Sequence, residues 1–224
     1  MTGSVDAGTR SRFLHALDQL HERFLVEADG VTEVWLVRHG DAYAELVSLD
    51  DANIDPPLSP KGRREAALLG ERLKASGVSM VWCSQILRAR ETAALAADPG
   101  GLPIEVDPRL REVKTHWENG TEEKEPPAPG YIPFVEPLDE VIERMDGAIR
   151  DIARAAGPGG RVAAVTHAGA ITMYLSFLLK LDSGPLRVLP NFTSVSVLRI
   201  KDDRIVVQSI GDVGHLAREE LPDG

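Results

Sequence analysis

Apolar residues near the start of the chain recur at helical spacing: Phe13, Leu17, Leu20 and Phe24 predict an amphipathic helix over about residues 11–26. The pattern then changes. Val34-Trp35-Leu36-Val37 is a continuous run of strand formers that ends at Arg38-His39-Gly40, where glycine permits a sharp exit. Ser59-Pro60 supplies an N-cap and a proline at the first helical position, and Ala66, Leu69 and Leu73 carry that helix towards Gly77. Residues 80–83 read as a second short strand, after which Ser84 opens a helix carrying Arg88, Glu91 and Thr92 towards Asp98-Pro99. A third helix over residues 138–156 ends in the turn Gly157-Pro158-Gly159-Gly160, and a strand over 162–165 runs into Thr166-His167-Ala168-Gly169. Residues 171–179 are the most apolar stretch near the C-terminus and predict a buried helix, well short of the roughly 18 residues that span a membrane. Two alternating segments, 195–200 and 204–210, predict a closing hairpin.

Strands that alternate with helices predict an α/β fold, a three-layer α/β/α sandwich with a mainly parallel central sheet. Such sheets bind ligands outside the C-terminal ends of their strands, which is where His39 and His167 fall. Residues 1–30 form a helical extension ahead of a single domain over 31–224. Five prolines and four glutamates from Thr121 to Pro137 predict an excursion from the sheet, with a lid over the site and a solvated loop equally compatible with the composition.

The 224 residues, 43% of them hydrophobic, supply one substantial core. With 25 basic against 35 acidic residues the net charge is −10, which disfavours nucleic acid as a partner, so any anion site has to be local. Cys83 stands alone and cannot form an internal disulfide, and residues 1–10 lack the apolar core of a signal peptide. A cytoplasmic protein with no membrane partner is the expectation. No zinc spacing is evident, and cations supplied by side chains remove the demand for carboxylate-held magnesium, so no metal and no cofactor is expected. Four residues separate Cys83 from Arg88, whereas a cysteine-dependent phosphatase has five, and the glycines at 157–160 precede a strand where a dinucleotide fingerprint would follow one.

The chemistry concentrates in Leu36-Val37-Arg38-His39-Gly40, where an anion-binding fork adjoins a candidate nucleophile. In order along the chain there follow Asp55-Pro56-Pro57-Leu58-Ser59-Pro60-Lys61-Gly62, Ser84-Gln85-Ile86-Leu87-Arg88-Ala89-Arg90-Glu91-Thr92-Ala93, Leu110-Arg111-Glu112 and Val165-Thr166-His167-Ala168-Gly169. This ordered set, spanning about residues 32–216, resembles the histidine phosphatase superfamily, which includes cofactor-dependent phosphoglycerate mutases and many small phosphatases. The resemblance implies a phosphoglycerate mutase-like fold, with catalytic residues His39, Glu112 and His167 and a phosphate-binding set of Arg38, Arg88 and His167. His39 would carry the phosphoryl group and Glu112 would protonate the departing oxygen of a small phosphorylated substrate. The physical logic agrees: phosphoryl transfer spreads charge over three equatorial oxygens, so positioned cations can do the work. Repulsion from Arg38 and Arg88 should keep His39 unprotonated.

Departures from the family pattern bear on the reaction. Relatives of the mutase type carry asparagine five positions beyond the first-motif glycine, where this chain has Glu45. The long basic segment that follows the mutases' acid glutamate is replaced by Val113-Lys114-Thr115-His116-Trp117-Glu118. Ala168 stands where the acid phosphatase branch has aspartate, which favours Glu112 as the acid. Phosphomonoester hydrolysis through a phosphohistidine is therefore expected over mutase-type transfer or a non-catalytic phospholigand-binding module. The blander readings are that Arg88 only pairs with Glu91 or Glu112 and that Glu112 is structural. His15, His21, His116 and His215 read as surface or packing residues, and Lys61 and Arg90 as solvated. The first helix packs on its own domain in one reading and mediates a homodimer in another.

Overall fold

The computed structural model describes residues 7–26, 28–42, 55–114, 136–181 and 188–219. Its sheet has the order β3-β2-β4-β1-β5-β6, where β1 is Thr32–Arg38, β2 Val81–Cys83, β3 Ile104–Val106, β4 Arg161–Thr166, β5 Val195–Lys201 and β6 Arg204–Asp212. The pairs β3/β2, β2/β4 and β4/β1 are parallel, while β1/β5 and β5/β6 are antiparallel. The helices are α1 (Ala7–Arg23), α2 (Pro60–Ala75), α3 (Leu87–Ala97), α4 (Leu138–Ala156) and α5 (Ala168–Leu178). This is the α/β sandwich that the alternating pattern predicts.

Side chains of successive strand residues face opposite ways, and this alternation sorts the core into two layers. Val34 and Leu36 of β1, with Val162 and Ala164 of β4, pack with Val141, Met145, Ile149 and Ile152 of α4 and Ile171, Tyr174 and Leu175 of α5. Trp35 and Val37, with Ala163 and Val165, pack with Leu69 and Leu73 of α2 and Ala89, Ala93 and Ala96 of α3. Both faces being covered explains why the central strands read as unbroken apolar runs.

Two boundaries differ from expectation. Ser84 does not open α3: its Oγ accepts from the Ile86 amide in a preceding turn, and the helix begins at Leu87, whose N–H is held by both carboxylate oxygens of Asp55. The cap comes from a residue distant in sequence, so local pattern could not place it. Strand β3 was not expected at all, because three exposed residues carry no periodicity.

The reading of α1 as packed on its own domain also fails. No residue from 9 to 24 is buried, and Phe13 and Phe24 are 65% and 52% exposed. The helix meets the body at its C-terminal end, through buried Leu25, an Arg199 bond to the Leu25 carbonyl and Arg204 on Glu22. The expectation of a lid or solvated loop falls mostly on residues 115–135, outside the described residues. At its far end Glu136 is buried, not solvated.

The loop after β1 is tied to the first turn of α2. Ser59 caps that turn by accepting from the Gly62 N–H, and its hydroxyl donates to Asp41 Oδ2 at 2.8 Å. The Ser59 amide bonds the Asp41 carbonyl, and the Asp41 amide bonds Glu65 Oε2. The backbones lie so close that a Cβ on Gly62 would sit 2.0 Å from the Asp41 carbonyl oxygen, and one on Gly40 would sit 2.7 Å from the Gly62 oxygen. Both contacts are with backbone and cannot yield cheaply. Gly62→Ala should therefore cost about 1–3 kcal/mol or more, read as a fall in the chemical-denaturation midpoint. An unchanged midpoint would show that the two backbones need not approach.

Candidate active site

His39 follows the last residue of β1, and its position is fixed from every side. Its amide donates to the Thr166 carbonyl of the adjacent parallel strand, and the Gly40 amide donates to Thr92 Oγ1 of α3. The Thr193 amide bonds the Arg38 carbonyl from the turn before β5. Because β1 and β4 run in parallel register, with Arg38 opposite Thr166, the next residue of each strand is a histidine emerging at the same sheet edge. The rings of His39 and His167 are 5.1 Å apart, centroid to centroid.

The ring of His39 is oriented by two bonds. Nδ1 lies 2.7 Å from the Gly40 carbonyl, which can only accept, so that nitrogen carries the proton in the neutral ring. Nε2 is then the lone-pair nitrogen, and Arg88 Nε donates to it at 3.1 Å. Arg88 is itself buried on α3, with Nη1 3.6 Å from Asp55. The pairing with Glu91 weighed from sequence is not what holds it, since Glu91 bonds the Leu58 amide and Arg63.

Arg38 approaches from the other side. Its Nη1 donates to the Pro190 carbonyl, and its guanidinium carbon lies 3.9 Å from the centre of the Phe192 ring, whose centroid is 5.8 Å from that of His39. Pattern reading noted Phe192 only within the glycosylation sequon Asn191-Phe192-Thr193 and missed it as a neighbour of the site. Thr92 was named only as a helix residue, yet its hydroxyl donates to the Arg88 carbonyl and receives the Gly40 amide. Thus α3 is joined directly to the strand end.

Glu112 is positioned by the N-terminus of α5. Its Oε1 accepts from the Val113 and Ala170 amides, and Oε2 from the Gly169 amide at 3.3 Å. Those α5 amides lie two and three residues after His167, which brings the carboxyl to the same sheet edge. His167 is fully buried, and neither ring nitrogen has a hydrogen-bond partner among the described residues. A buried polar atom left unsatisfied costs about 1–3 kcal/mol, so the cluster is suited to receive a polar ligand.

Burial is the main reason that His39 sits well below the ordinary imidazole value, reinforced by Arg88 and then Arg38 and opposed by the Gly40 carbonyl. The arginine repulsion expected from sequence is present but second to desolvation. His167 is lowered in the same direction, first by burial and then by His39 and the surrounding arginines. Glu112 moves up: desolvation outweighs its three backbone bonds and the attraction of Arg88.

Cys83 is buried in β2, and desolvation pushes its thiol up to about 11, which makes it a poor nucleophile at neutral pH. His215 is a packing residue, as expected, buried with Nε2 3.2 Å from Thr193 Oγ1 and held at about 4 by burial and Arg72. His116 and Glu45 lie outside the described residues. Among the described residues no group of three His, Cys, Asp or Glu side chains is arranged to hold a metal, and no helix is long and apolar enough to cross a membrane.

Comparison with known proteins gives consistent likenesses. Residues 34–213 match the model of the histidine phosphatase superfamily (branch 1). A relative in Cronobacter sakazakii named "Probable phosphoglycerate mutase GpmB" is 31% identical over 212 residues, covering 85% of this chain and 98% of the relative. Among solved structures, Bacillus stearothermophilus YhfR superposes with a TM-score of 0.65 at 26% identity, covering 83% of this chain and 99% of that one. A mycobacterial glucosyl-3-phosphoglycerate phosphatase in complex with VO3 gives 0.61 at 23% identity, covering 79% and 97%, a likeness of fold.

Proposed function

Because this chain belongs to the histidine phosphatase superfamily (branch 1), whose members are phosphatases or mutases, we propose that it hydrolyses phosphomonoesters through a phosphohistidine on His39. The observation that carries this reading is the buried His39 ring, with Nδ1 on the Gly40 carbonyl and Nε2 facing Arg88 beside an unsatisfied His167.

An incoming phosphoryl group takes over the guanidinium of Arg88, which frees the Nε2 lone pair. Nε2 then attacks phosphorus, the N–P bond forms, and the P–O bond to the alcohol breaks as Glu112 delivers its proton to the leaving oxygen. Arg38, Arg88 and His167 face the equatorial oxygens, and each such preorganised donor is worth about 3 kcal/mol where water is excluded. Glu112, now a carboxylate, takes a proton from water, whose oxygen displaces His39 from phosphorus and releases inorganic phosphate. The elevated Glu112 and depressed His39 suit this sequence, since one has to start protonated and the other neutral. No step calls on a metal ion, and the substrate expected is a small phosphorylated molecule.

Mutase-type transfer is the second reading, favoured by the name of the relative in Cronobacter sakazakii. Hydrolysis is preferred because Val113-Lys114-Thr115 replaces the long basic segment of the mutases. With a phosphoglycerate as substrate, hydrolysis releases inorganic phosphate in step with substrate loss, whereas a mutase yields the isomer with no net phosphate.

His39→Ala should lower kcat/KM for an aryl phosphate by at least about 10^3-fold in the presence of chelator. Retained turnover would end the phosphohistidine reading. Glu112→Gln should cost roughly 10^2-fold or more on an alkyl phosphate, whose oxygen needs a proton, and far less on an aryl phosphate.

The pH dependence follows from the two shifts. His39 must be neutral, so its depressed value puts the acid limb of kcat/KM below pH 6.5, the ordinary imidazole value. Glu112 must be protonated, so its raised value puts the alkaline limb above 4.5, the ordinary carboxyl value. A profile measured on the alkyl ester should lose its alkaline limb in Glu112→Gln. An acid limb at or above 6.5 would contradict the assignment of His39.

A further inference from the structure

Glu112 is held at two ends. Its carboxyl meets the amides of α5, and its backbone is strapped to α4 by charged side chains that have no role in the steps above. Arg144 of α4 donates through Nη1 to the carbonyls of Arg109 and Arg111, at 2.7 and 2.9 Å, and through Nη2 to the carbonyl of Glu112 at 3.4 Å. Arg111 Nη1 reaches the same Glu112 carbonyl at 3.0 Å.

Both guanidinium groups converge on Glu136, whose side chain is 2% exposed. Arg144 Nε lies 2.8 Å and Arg111 Nη2 2.6 Å from its Oε1, and Oε2 receives Arg111 Nη1, Arg144 Nη2 and the Lys114 amide. Burial alone would raise the Glu136 carboxyl, but Arg144 and Arg111 outweigh it and hold the group at about 2. Glu136 therefore stays a carboxylate at neutral pH. A second tether, Thr166 Oγ1 on the Leu110 carbonyl at 2.6 Å, joins the same loop to the end of β4 beside His167.

We infer that Arg144 and Glu136 are positioning residues for the leaving-group acid, fixing the backbone of residues 109–114 so that the Glu112 carboxyl stays beside His167 and out of water. A guanidinium suits this task because its planar fork can serve three carbonyls and a carboxylate at once, which a lysine ammonium cannot do with the same geometry. Buried networks of this kind are costly when one member is removed, and here the loss would fall on the aim of Glu112. Misplacement by about 1 Å can cost ~10^2-fold in rate. The inference rests on the reading of Glu112 as the acid.

The experiment compares Arg144→Lys and Glu136→Gln with the parent and with Glu112→Gln, using kcat/KM for an aryl and an alkyl phosphate, pH profiles and thermal denaturation. The two variants should lose about tenfold or more on the alkyl ester and no more than about threefold on the aryl ester. Their alkaline limb should move towards acid, because water reaching Glu112 removes the desolvation that raises it. Equal losses on both esters with an unmoved alkaline limb would mean that the cluster only stabilises the fold, and would overturn the inference. If Arg144→Lys does not fold, Glu136→Gln carries the same test, because it retains the side-chain shape and every arginine. Should Glu112→Gln itself show no preference between the esters, the acid assignment fails first and the positioning role falls with it. Leaving-group dependence in Glu112→Gln alone would overturn the positioning role and leave the acid assignment standing.

Discussion

An imidazole buried beside a guanidinium has to remain neutral, and that constraint governs the architecture around the sheet edge. His39 and His167 are both nearly inaccessible, and burial does more than any single charge to keep them unprotonated. A chain with net charge −10 thus gathers cations at one point without gathering protons there. An anion entering this cluster meets donors that already point inward, and those donors lose little solvation on binding it. That preorganisation is the physical content of the proposed phosphoryl transfer.

The arrangement works only if loops from separate parts of the chain are held rigidly. The glycines at 40 and 62 let the β1 loop and the start of α2 touch backbone to backbone, and Ser59, Asp41 and Glu65 lock that contact with hydrogen bonds. Thr92 ties α3 to Gly40, and Thr166 ties the end of β4 to the loop that carries Glu112. Polar groups that look like ordinary surface chemistry in the sequence are in this way spent on geometry. The charged cluster at Glu136 extends the same principle to α4 through Arg144.

Desolvation also sorts the titratable groups into opposing directions. The two imidazoles go down because burial penalises a cation, while Glu112 goes up because burial penalises an anion. Glu136 goes the other way because two guanidinium groups answer its charge. The Glu112 carboxyl accepts from three backbone amides, whereas the Glu136 carboxyl is paired with two guanidinium groups.

Local pattern was enough for most of the elements, because apolar periodicity records which face of a helix or strand is buried, and the cap at Ser59-Pro60 and the turn at 157–160 are sequence-local devices. The ordered motifs singled out His39, His167, Arg88 and Glu112 through their family resemblance, and the fold brings His39, His167 and Arg88 to one sheet edge with Glu112 at the start of α5. Contacts between distant segments were not legible. Asp55 capping α3, Phe192 stacking on Arg38, Glu136 enclosed by Arg111 and Arg144, and α1 standing clear of the core all depend on where the parallel register of β1 and β4 delivers each loop. Periodicity shows that a face is apolar but not what covers it, and a charge in a sequence shows no partner until the fold brings one within about 4 Å. Sequence determined the inventory and its local shapes; tertiary structure decided which groups lose water together, and so which of them carry a shifted proton.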